Sequence, residues 1–442
     1  MDKEFKTTYA GHEMLIKLPE ANVVNVIVPH TAPKLDKPEE KLKKLLENPI
    51  GGKKLTDIVK RGDKVALISS EYGRSPFTWI LAPVVVDLLK KEGVKDENIT
   101  LINAPGTHQT EEEQVENPLV KKLYGPLYGK HKLVLHDSDK RDTHAFIGYT
   151  SQATPVWVNK AVAEADVKIG FGELSPHHSA GHCGGGKIIL PGVCARATIG
   201  SMHRRVMNQK NKKYHDEWQT GAFGNDEKNE VRRDIEDAAA LAGLDFKIDT
   251  VTGRPAGDLY DIYAGDFRKE YREGVKLADK IYGTRIQEKT DICIYLSGDR
   301  GKYINGCFWY APFMSDQATK DDGIVIQVIS GEGGWQAPTG HQTFTPALMR
   351  LSTEQMAWNV CGDMEKGVNL RDTACAWQVK KALELKENFL VTDHENKEFL
   401  KAAGMNYVTS SFDDALAKAF KEKGKDATIT VLYQGGYILP PN

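Results

Sequence analysis

A strand–helix–strand pattern early in the chain constrains the fold more than any other feature of the sequence. Two short, apolar, β-branched runs are typical of buried strands, DKVALISS at 63–70 and NITLINAPG at 98–106. The stretch between them, FTWILAPVVVDLLKKEG at 77–93, has the pattern of a helix that ends in lysines and then Gly93, while Pro83 either kinks this helix or marks its start. This order predicts a βαβ unit and therefore a parallel sheet.

The rest of the chain indicates further strands and helices of the same class. A polar, charged stretch at 205–287 contains two helical patterns, at 227–244 and 265–283. Before and after this stretch, apolar runs predict buried strands at 165–174, 291–298, 323–330, 387–393, 405–410 and 427–440. The alternation of strands and helices indicates an α/β protein with mainly parallel sheets.

The length of the chain indicates two domains, because 442 residues exceed what a single hydrophobic core usually supports. We expect two α/β domains with the active site in the cleft between them. The first, over 1–287, would be the catalytic and cofactor-binding domain, and the second would span 288–420. The C-terminal segment, 421–442, could return to the first domain.

Composition excludes several classes of protein. A net charge of −2 argues against a general nucleic-acid or membrane-surface binder, and no run of 18 apolar residues predicts a membrane span. The charged N-terminus lacks the apolar core of a signal peptide. The 6 cysteines are scattered without a C-x-x-C pair, which excludes a disulfide scaffold or a zinc ribbon. We therefore expect a cytoplasmic protein with reduced thiols.

Polar residues follow three of the predicted strands of the first domain. The segments are SEYGRSP at 70–76, GTHQTEEE at 106–113 and SPHHSAGHCGGGK at 175–187. Ligands of open parallel sheets bind beyond the carboxyl ends of the strands, so these segments predict the functional site.

The last of these segments allows three kinds of chemistry. GHCGGGKI at 181–188 differs from a phosphate-binding P-loop in one residue, because Ile188 stands where a Ser or Thr would hold Mg²⁺. His178 and His182 have the spacing of two zinc ligands on one helical turn, although the glycines that follow disfavour a helix. Lys187, beside glycines that let a cofactor approach the main chain, could instead be a nucleophilic amine that anchors a cofactor covalently. Four of the 13 histidines lie at 177–203, which suits metal binding or proton transfer.

The stretch SPHHSAGHCGGGKIILPGVCARATIGSMHRR at 175–205 closely resembles the signature region of the nickel-dependent lactate racemase family. GTHQ at 106–109 and SEYGR at 70–74 resemble two further motifs of that family, in the expected order, and the resemblance extends to the C-terminal GGYILP. It implies an isomerase that racemises or epimerises 2-hydroxy acids with a nickel pincer nucleotide, a pyridinium mononucleotide whose two sulfur-bearing arms hold Ni(II). It also implies cofactor-synthesis proteins as partners for loading.

The resemblance also implies a role for each matching residue. Lys187 would carry the cofactor through a thioamide link, and His203 would complete the coordination of nickel. Glu71, Arg74 and Asp299 would contact the cofactor.

The remaining roles that the resemblance implies concern the substrate. His108 and His177 would be the paired acid/base residues, Arg74 would hold the substrate carboxylate, and Lys302 would also contact the substrate. These residue types suit hydride transfer, because a planar 2-keto acid exposes its oxygen on opposite sides in the two enantiomeric poses and so requires two bases. Arginine suits a carboxylate because it can donate two parallel hydrogen bonds.

Departures from the family pattern concern the substrate. Glu71 stands where lactate racemases usually have Asp, and His182 and Cys183 replace an aromatic–Ser pair. The segment SGDRGKYINGCFWYAP at 297–312, which contains Asp299 and Lys302, matches the family only loosely. Additional polar residues predict a substrate more polar than lactate, such as an aldonate or malate: Arg300, Lys302, Asn305, His178 and His182. The alternatives are a P-loop-like nucleotide-binding protein and a non-catalytic carrier of nickel or cofactor.

Overall fold

The chain is an α/β protein with mainly parallel sheets, as the strand–helix–strand pattern predicts. A computed structural model describes residues 1–207, 229–253, 257–286, 288–305, 310–335, 346–361 and 370–439.

The strands are β1 (Asp2–Tyr9), β2 (His12–Pro19), β3 (Val23–Ile27), β4 (Val65–Ser69), β5 (Ile99–Asn103), β6 (Lys132–Leu135), β7 (His144–Tyr149), β8 (Pro155–Asn159), β9 (Val167–Glu173), β10 (Pro176–His177), β11 (Gly181–His182), β12 (Phe246–Thr252), β13 (Leu259–Gly265), β14 (Gly283–Thr284), β15 (Thr290–Leu296), β16 (Thr319–Val328), β17 (Glu387–Val391), β18 (Tyr407–Thr409), β19 (Ile429–Tyr433) and β20 (Tyr437–Ile438).

The helices are α1 (Pro38–Glu47), α2 (Leu55–Ile58), α3 (Thr78–Lys91), α4 (Glu111–Glu116), α5 (Pro118–Tyr124), α6 (Lys160–Ala163), α7 (Arg196–His203), α8 (Glu230–Ala242), α9 (Lys269–Tyr282), α10 (Tyr310–Asp316), α11 (Pro346–Arg350), α12 (Thr353–Cys361), α13 (Leu370–Leu383), α14 (Lys397–Ala402) and α15 (Phe412–Lys423). Among the helices of the described residues, none combines the length and the apolar character that crossing a membrane requires.

The chain divides into two compact units. One, here called the histidine unit, contains residues 31–205 and 219–281, and the other, the C-terminal unit, contains residues 1–30, 206–218 and 282–442. The first thirty residues therefore group with the C-terminal part of the chain, because β3 pairs in parallel with β19.

The sheet of the histidine unit has the strand order β13-β12-β9-β4-β5-β6. Its neighbouring strands run parallel except for β12 and β13, which are antiparallel. The βαβ unit predicted at 63–106 is β4, α3 and β5, and α3 continues through Pro83. Leu67, Leu101 and Ile169 are buried in the core of this sheet, where each such side chain contributes roughly 1.5–3 kcal/mol to folding.

The C-terminal unit contains a second sheet, with the order β18-β17-β16-β15-β19-β3 and parallel pairing throughout. Each strand predicted after residue 288 has a counterpart in it, and the last one, β19, lies between β15 and β3.

Of the strands in the sheet of the histidine unit, sequence analysis missed β6, β12 and β13, and the last two lie inside the stretch 205–287 taken there as polar and charged. The two helices predicted in that stretch are present as α8 and α9. The physical reason for the miss is that β12 buries charged side chains: Lys247 and Asp249 are both fully buried and form an ion pair with each other. A strand whose charges neutralise one another inside the protein lacks the apolar run that predicts a buried strand.

Candidate active site

The three polar segments predicted from the sequence meet at one edge of the sheet of the histidine unit. They follow β4, β5 and β9, which are adjacent and parallel, with β4 in the middle. Because parallel strands end at the same edge, Glu71 and Arg74 after β4 come close to His108 after β5 and His177 after β9.

Glu71 joins two of the candidate residues. Its Oε1 accepts a hydrogen bond of 2.6 Å from Nδ1 of His108 and one of 3.2 Å from Nε of Arg74. Burial alone would raise the pKa of Glu71, but the charges of His108 and Arg74 outweigh burial and lower the pKa to about 2. The carboxylate is therefore ionised at neutral pH, and it can only accept hydrogen bonds, so His108 carries a proton on Nδ1.

Cys183 is a site residue whose contact sequence analysis did not find. It is buried, and its Sγ lies 3.1 Å from Nη1 of Arg74. Burial raises the pKa of the Cys183 thiol, whereas the positive charges of Arg74 and Lys187 lower it, and the net pKa is lowered. The position of the cysteine next to the glycine run was its only signal in the sequence.

His177 lies on the short hairpin formed by β10 and β11. Its Nδ1 accepts two hydrogen bonds from the backbone amides of Ser179 and Ala180, at 3.1 and 3.2 Å, so the neutral ring carries its proton on Nε2. The ring stacks on His178 with the ring centroids 4.6 Å apart. Burial lowers the pKa of His177 well below its ordinary value, and the charge of Lys187, the next cause, lowers it further.

The turn that carries Lys187 is a single 3-10 turn, Gly185–Ile188. Sequence analysis assigned its glycines to close approach by a cofactor, and the structure gives two of them a packing reason as well. A Cβ on Gly184, whose φ is +89°, would lie 2.5 Å from Leu174 and 2.8 Å from Asp249, and a Cβ on Gly186 would lie 2.9 Å from Ala239. These glycines therefore make room for the protein's own packing.

The structure argues against two alternative hypotheses for this loop, a zinc site and a P-loop. The hypothesis of a zinc site requires His178 and His182 on one helical turn, but these residues lie on and beside the β10–β11 hairpin. In addition, Nε2 of the fully buried His182 pairs with Asp279 at 3.0 Å. In a P-loop the lysine lies at the start of a helix, whereas Lys187 lies on a 3-10 turn and α7 begins only at Arg196.

His203 closes α7 and is almost completely buried. Its Nδ1 donates a hydrogen bond of 2.8 Å to the carbonyl of Ile199, which leaves the lone pair of the neutral ring on Nε2. This backbone bond fixes the tautomer that binds a metal through Nε2. The charges of Lys187 and His203 both lower the pKa of His177, so a primary amine and an imidazole lie near the same ring. This combination fits a tethered cofactor that carries a metal.

The remaining two predicted residues, Asp299 and Lys302, belong to the C-terminal unit. They lie on the 3-10 turn Gly298–Lys302, which follows β15, and both side chains are exposed. Nζ of Lys302 is 5.7 Å from the centroid of the Tyr303 ring.

Comparison with solved structures identifies the same fold. The lactate racemase apoprotein from Thermoanaerobacterium thermosaccharolyticum covers 100% of both chains with a TM-score of 0.82 at 22% identity. A protein from Thermotoga maritima covers 92% of this chain and 100% of its own with a TM-score of 0.61 at 18% identity.

Sequence comparisons extend this result to the family. The lactate racemase of Thermoanaerobacterium thermosaccharolyticum is 26% identical over 410 residues, which cover 91% of this chain and 90% of that protein. The lactate racemase of Lactiplantibacillus plantarum is 24% identical over 402 residues, with coverage of 90% and 89%. Residues 9–215 match the lactate racemase N-terminal domain, and residues 313–439 match the lactate racemase C-terminal domain. The chain is therefore an isomerase that belongs to the lactate racemase family.

Proposed function

We propose that this chain racemises or epimerises a 2-hydroxy acid, with His108 and His177 as the acid/base pair and Arg74 as the carboxylate-binding residue. The observation that carries the proposal is the complementary state of the two histidines. His108 directs its Nδ1 proton at Glu71, whereas His177 accepts backbone amides at Nδ1. In its neutral form His108 therefore presents a lone pair at Nε2, and neutral His177 presents an N–H there.

This difference gives each histidine a distinct part in proton transfer. Nε2 of His108 takes the hydroxyl proton of the substrate, and the Glu71 carboxylate stabilises the imidazolium that forms. Nε2–H of neutral His177 donates a hydrogen bond to the oxygen of the opposite pose. It transfers this proton only as an imidazolium, after Nδ1 has taken a proton from water, because a neutral ring that lost Nε2–H would become an anion; His108 returns its own proton to water to close the cycle. Burial, and then the positive charge of Lys187, lower the pKa of His177 and favour its neutral ring at rest, so the two histidines do not compete for the same proton.

Arg74 is held in place for binding a carboxylate. Its Nε and Nη1 are bonded to Glu71 and Cys183, which fixes the plane of the guanidinium group. A substrate pinned by its carboxylate can turn its C2 from one histidine towards the other without leaving the site.

The residues near Lys187 fit a nickel pincer nucleotide as cofactor. Lys187 would hold it through a thioamide, formed when the amine condenses with a thiocarboxylic acid and one water leaves. Nε2 of His203 would be the protein ligand of Ni(II), a role that suits an imidazole beside sulfur donors. When bound, the group supplies a pyridinium ring that accepts a hydride from C2 and returns it. Asp299 and Glu71 are proposed as further cofactor contacts.

The proposed substrate is more polar than lactate, such as an aldonate or malate. His178, stacked on His177, supports this proposal. Arg300 and Lys302, both exposed on the turn after β15, are proposed as substrate contacts from the sequence alone. His182 gives no support, because it is fully buried against Asp279.

The test uses full-length protein produced together with the cofactor-synthesis proteins. We expect a mass increase on the peptide containing Lys187, bound nickel, and conversion of single stereoisomers of lactate, malate or aldonates, followed by NMR. His108→Ala and His177→Ala should keep the modification and lose conversion, whereas Lys187→Ala should lose the modification. Lys276→Ala, which changes an exposed lysine of α9, is the matched control.

Two results would contradict the proposal. Active protein with unmodified Lys187 and without nickel would remove the cofactor from it. Loaded protein that converts no 2-hydroxy acid of the panel would favour a non-catalytic carrier.

A further inference from the structure

A buried ion pair lies beneath the turn that carries Lys187. Lys247 and Asp249 project from the same face of β12, both fully buried, and Nζ of Lys247 donates to Oδ1 of Asp249 and, at 3.1 Å, to the carbonyl of Ile248. The pair lies over β9, where a Cβ on Gly172 would come within 2.5 Å of Asp249. Removing two charges from water is costly, and apolar residues would fill the same space at less cost.

The second oxygen of Asp249 binds the loop itself. Oδ2 accepts a hydrogen bond of 2.6 Å from the backbone N–H of Gly185, two residues before Lys187. A bond from an amide to an ionised carboxylate is stronger than one between neutral groups. Asp249 therefore links the buried strand β12 to the first residue of the Lys187 turn.

The same peptide group is held at its other end by a buried cation. Arg232, on α8, is 1% exposed; its Nη1 donates to the carbonyl of Gly184 at 3.2 Å, and its guanidinium group also donates to the carbonyls of Ala180 and His182. The carbonyl of Gly184 and the N–H of Gly185 belong to one peptide bond. A buried cation and a buried anion thus fix the orientation of that peptide plane, at the entry to the turn of Lys187.

We infer that Asp249 is a positioning residue for Lys187: by holding the Gly184–Gly185 peptide against Arg232, it sets the direction in which the turn presents the lysine amine for attachment of the cofactor. This inference rests on the proposed function, because it concerns the residue that would carry the cofactor. Asp249 acts through the backbone and touches neither substrate nor cofactor.

Glu270, in the first turn of α9, provides a control beside the pair. Burial raises the pKa of Glu270 well above its ordinary value, and the charge of Asp249 raises it further, so both causes favour the neutral form of Glu270. Lys247 forms its ion pair with Asp249. Glu270→Gln keeps a neutral side chain of similar shape and should leave cofactor attachment unchanged.

The experiment compares two double variants that both remove the ion pair. Lys247→Met with Asp249→Asn keeps an oxygen that can accept the Gly185 N–H, whereas Lys247→Met with Asp249→Leu has the same shape and no acceptor. Full-length apoproteins are incubated with purified nickel pincer nucleotide, and attachment to Lys187 is followed by peptide mass. We expect the asparagine variant to load at close to the wild-type rate and the leucine variant to load about tenfold more slowly.

The outcomes separate this inference from the proposed function. Wild-type protein that forms no adduct at Lys187 contradicts the proposed function. A wild-type adduct together with equal loading rates for the two double variants overturns the positioning role of Asp249, because a structural effect of the lost ion pair is common to both.

Hydrogen exchange of the Gly185 amide supplies a readout without cofactor: it should be slow in wild-type apoprotein and faster in the leucine variant. If the leucine variant does not fold, wild-type exchange as fast as that of an unstructured peptide overturns the inference, and slow exchange supports it.

Discussion

Nδ1 of His108 lies 2.6 Å from Oε1 of Glu71, and the same oxygen accepts Nε of Arg74 at 3.2 Å. One carboxylate therefore orients both the ring proposed as a base and the guanidinium group proposed to bind the substrate. Sequence analysis assigned Glu71 to cofactor contact by resemblance, and its bonds to His108 and Arg74 add a role within the protein. The longer side chain, where lactate racemases usually have Asp, reaches both partners.

Glu71→Gln should lower the free energy of unfolding of the apoprotein at neutral pH, and this destabilisation should become smaller as the pH falls. The pKa of Glu71 falls from 4.5 to about 2 in the folded state, so its ionised form stabilises the protein above about pH 4.5. This contribution, up to about 3 kcal/mol, is lost as the pH falls towards 2. Urea unfolding midpoints of wild type and variant should therefore differ most at pH 7, and the difference should be about half as large or less at pH 3.

A matched control for this prediction is Glu97→Gln, which changes an exposed carboxylate paired with Lys95. It should change the midpoint little at either pH, because exposed pairs contribute about 0–1 kcal/mol. A gap between wild type and Glu71→Gln that stays constant from pH 7 to pH 3 would contradict the assignment of a lowered pKa to Glu71.

Lys187→Met should raise the pKa of His177 in the apoprotein. Burial is the largest cause of the low pKa of His177, and the charge of Lys187 is the next. Removing a neighbouring positive charge favours the protonated ring, so titration should move to higher pH while remaining below the ordinary value because of burial. Hydrogen–deuterium exchange at the Cε1 position of the ring, read by peptide mass against pH, measures the shift. Lys276→Met should leave the titration of His177 where it is.

The thiol of Cys183 should react faster with iodoacetamide at pH 7.5 than the thiols of Cys194 and Cys293. Burial raises the pKa of both Cys194 and Cys293, whereas Arg74 and Lys187 lower that of Cys183. Alkylation of each cysteine is followed by peptide mass in the apoprotein. Arg74→Gln removes the positive charge 3.1 Å from the sulfur and should slow the reaction of Cys183 several-fold. Equal rates in wild type and Arg74→Gln would show that the guanidinium group does not stabilise the thiolate.

Local patterns in the sequence were sufficient for three of the six strands of the sheet in the histidine unit. The runs at 63–70, 98–106 and 165–174 contain β4, β5 and β9, because buried parallel strands are continuously apolar. From these strands alone, the edge where Glu71, His108 and His177 lie could be predicted, since polar residues follow each of them. Pro83 could not be placed by pattern alone, and it lies inside α3.

The burial of a charge pair could not be read from the same patterns. Lys247 and Asp249 are two residues apart on β12, and charges at this spacing do not by themselves indicate that both side chains are buried. The sequence contained one signal. Gly170 and Gly172 on β9 lie in register with Lys247 and Asp249 on β12. Alternating glycines are expected where one strand leaves space for large side chains of its neighbour. The contact between Arg74 and Cys183 joins residues 109 positions apart and left no such signal.

Arg74→Lys should weaken substrate binding more than it slows conversion. The guanidinium group bonds Glu71 through Nε and Cys183 through Nη1, and a lysine ammonium cannot keep this planar arrangement or donate two parallel bonds to a carboxylate. We expect KM for the 2-hydroxy acid to rise about 10- to 100-fold with a smaller decrease in kcat, measured with cofactor-loaded protein by NMR. Attachment of the cofactor to Lys187, checked by peptide mass, should stay complete, so that the loss reflects binding and not loading. A large decrease in kcat at unchanged KM would instead show that Arg74 stabilises only the transition state. That result would contradict a role in which Arg74 holds the carboxylate while the substrate rotates from one histidine to the other.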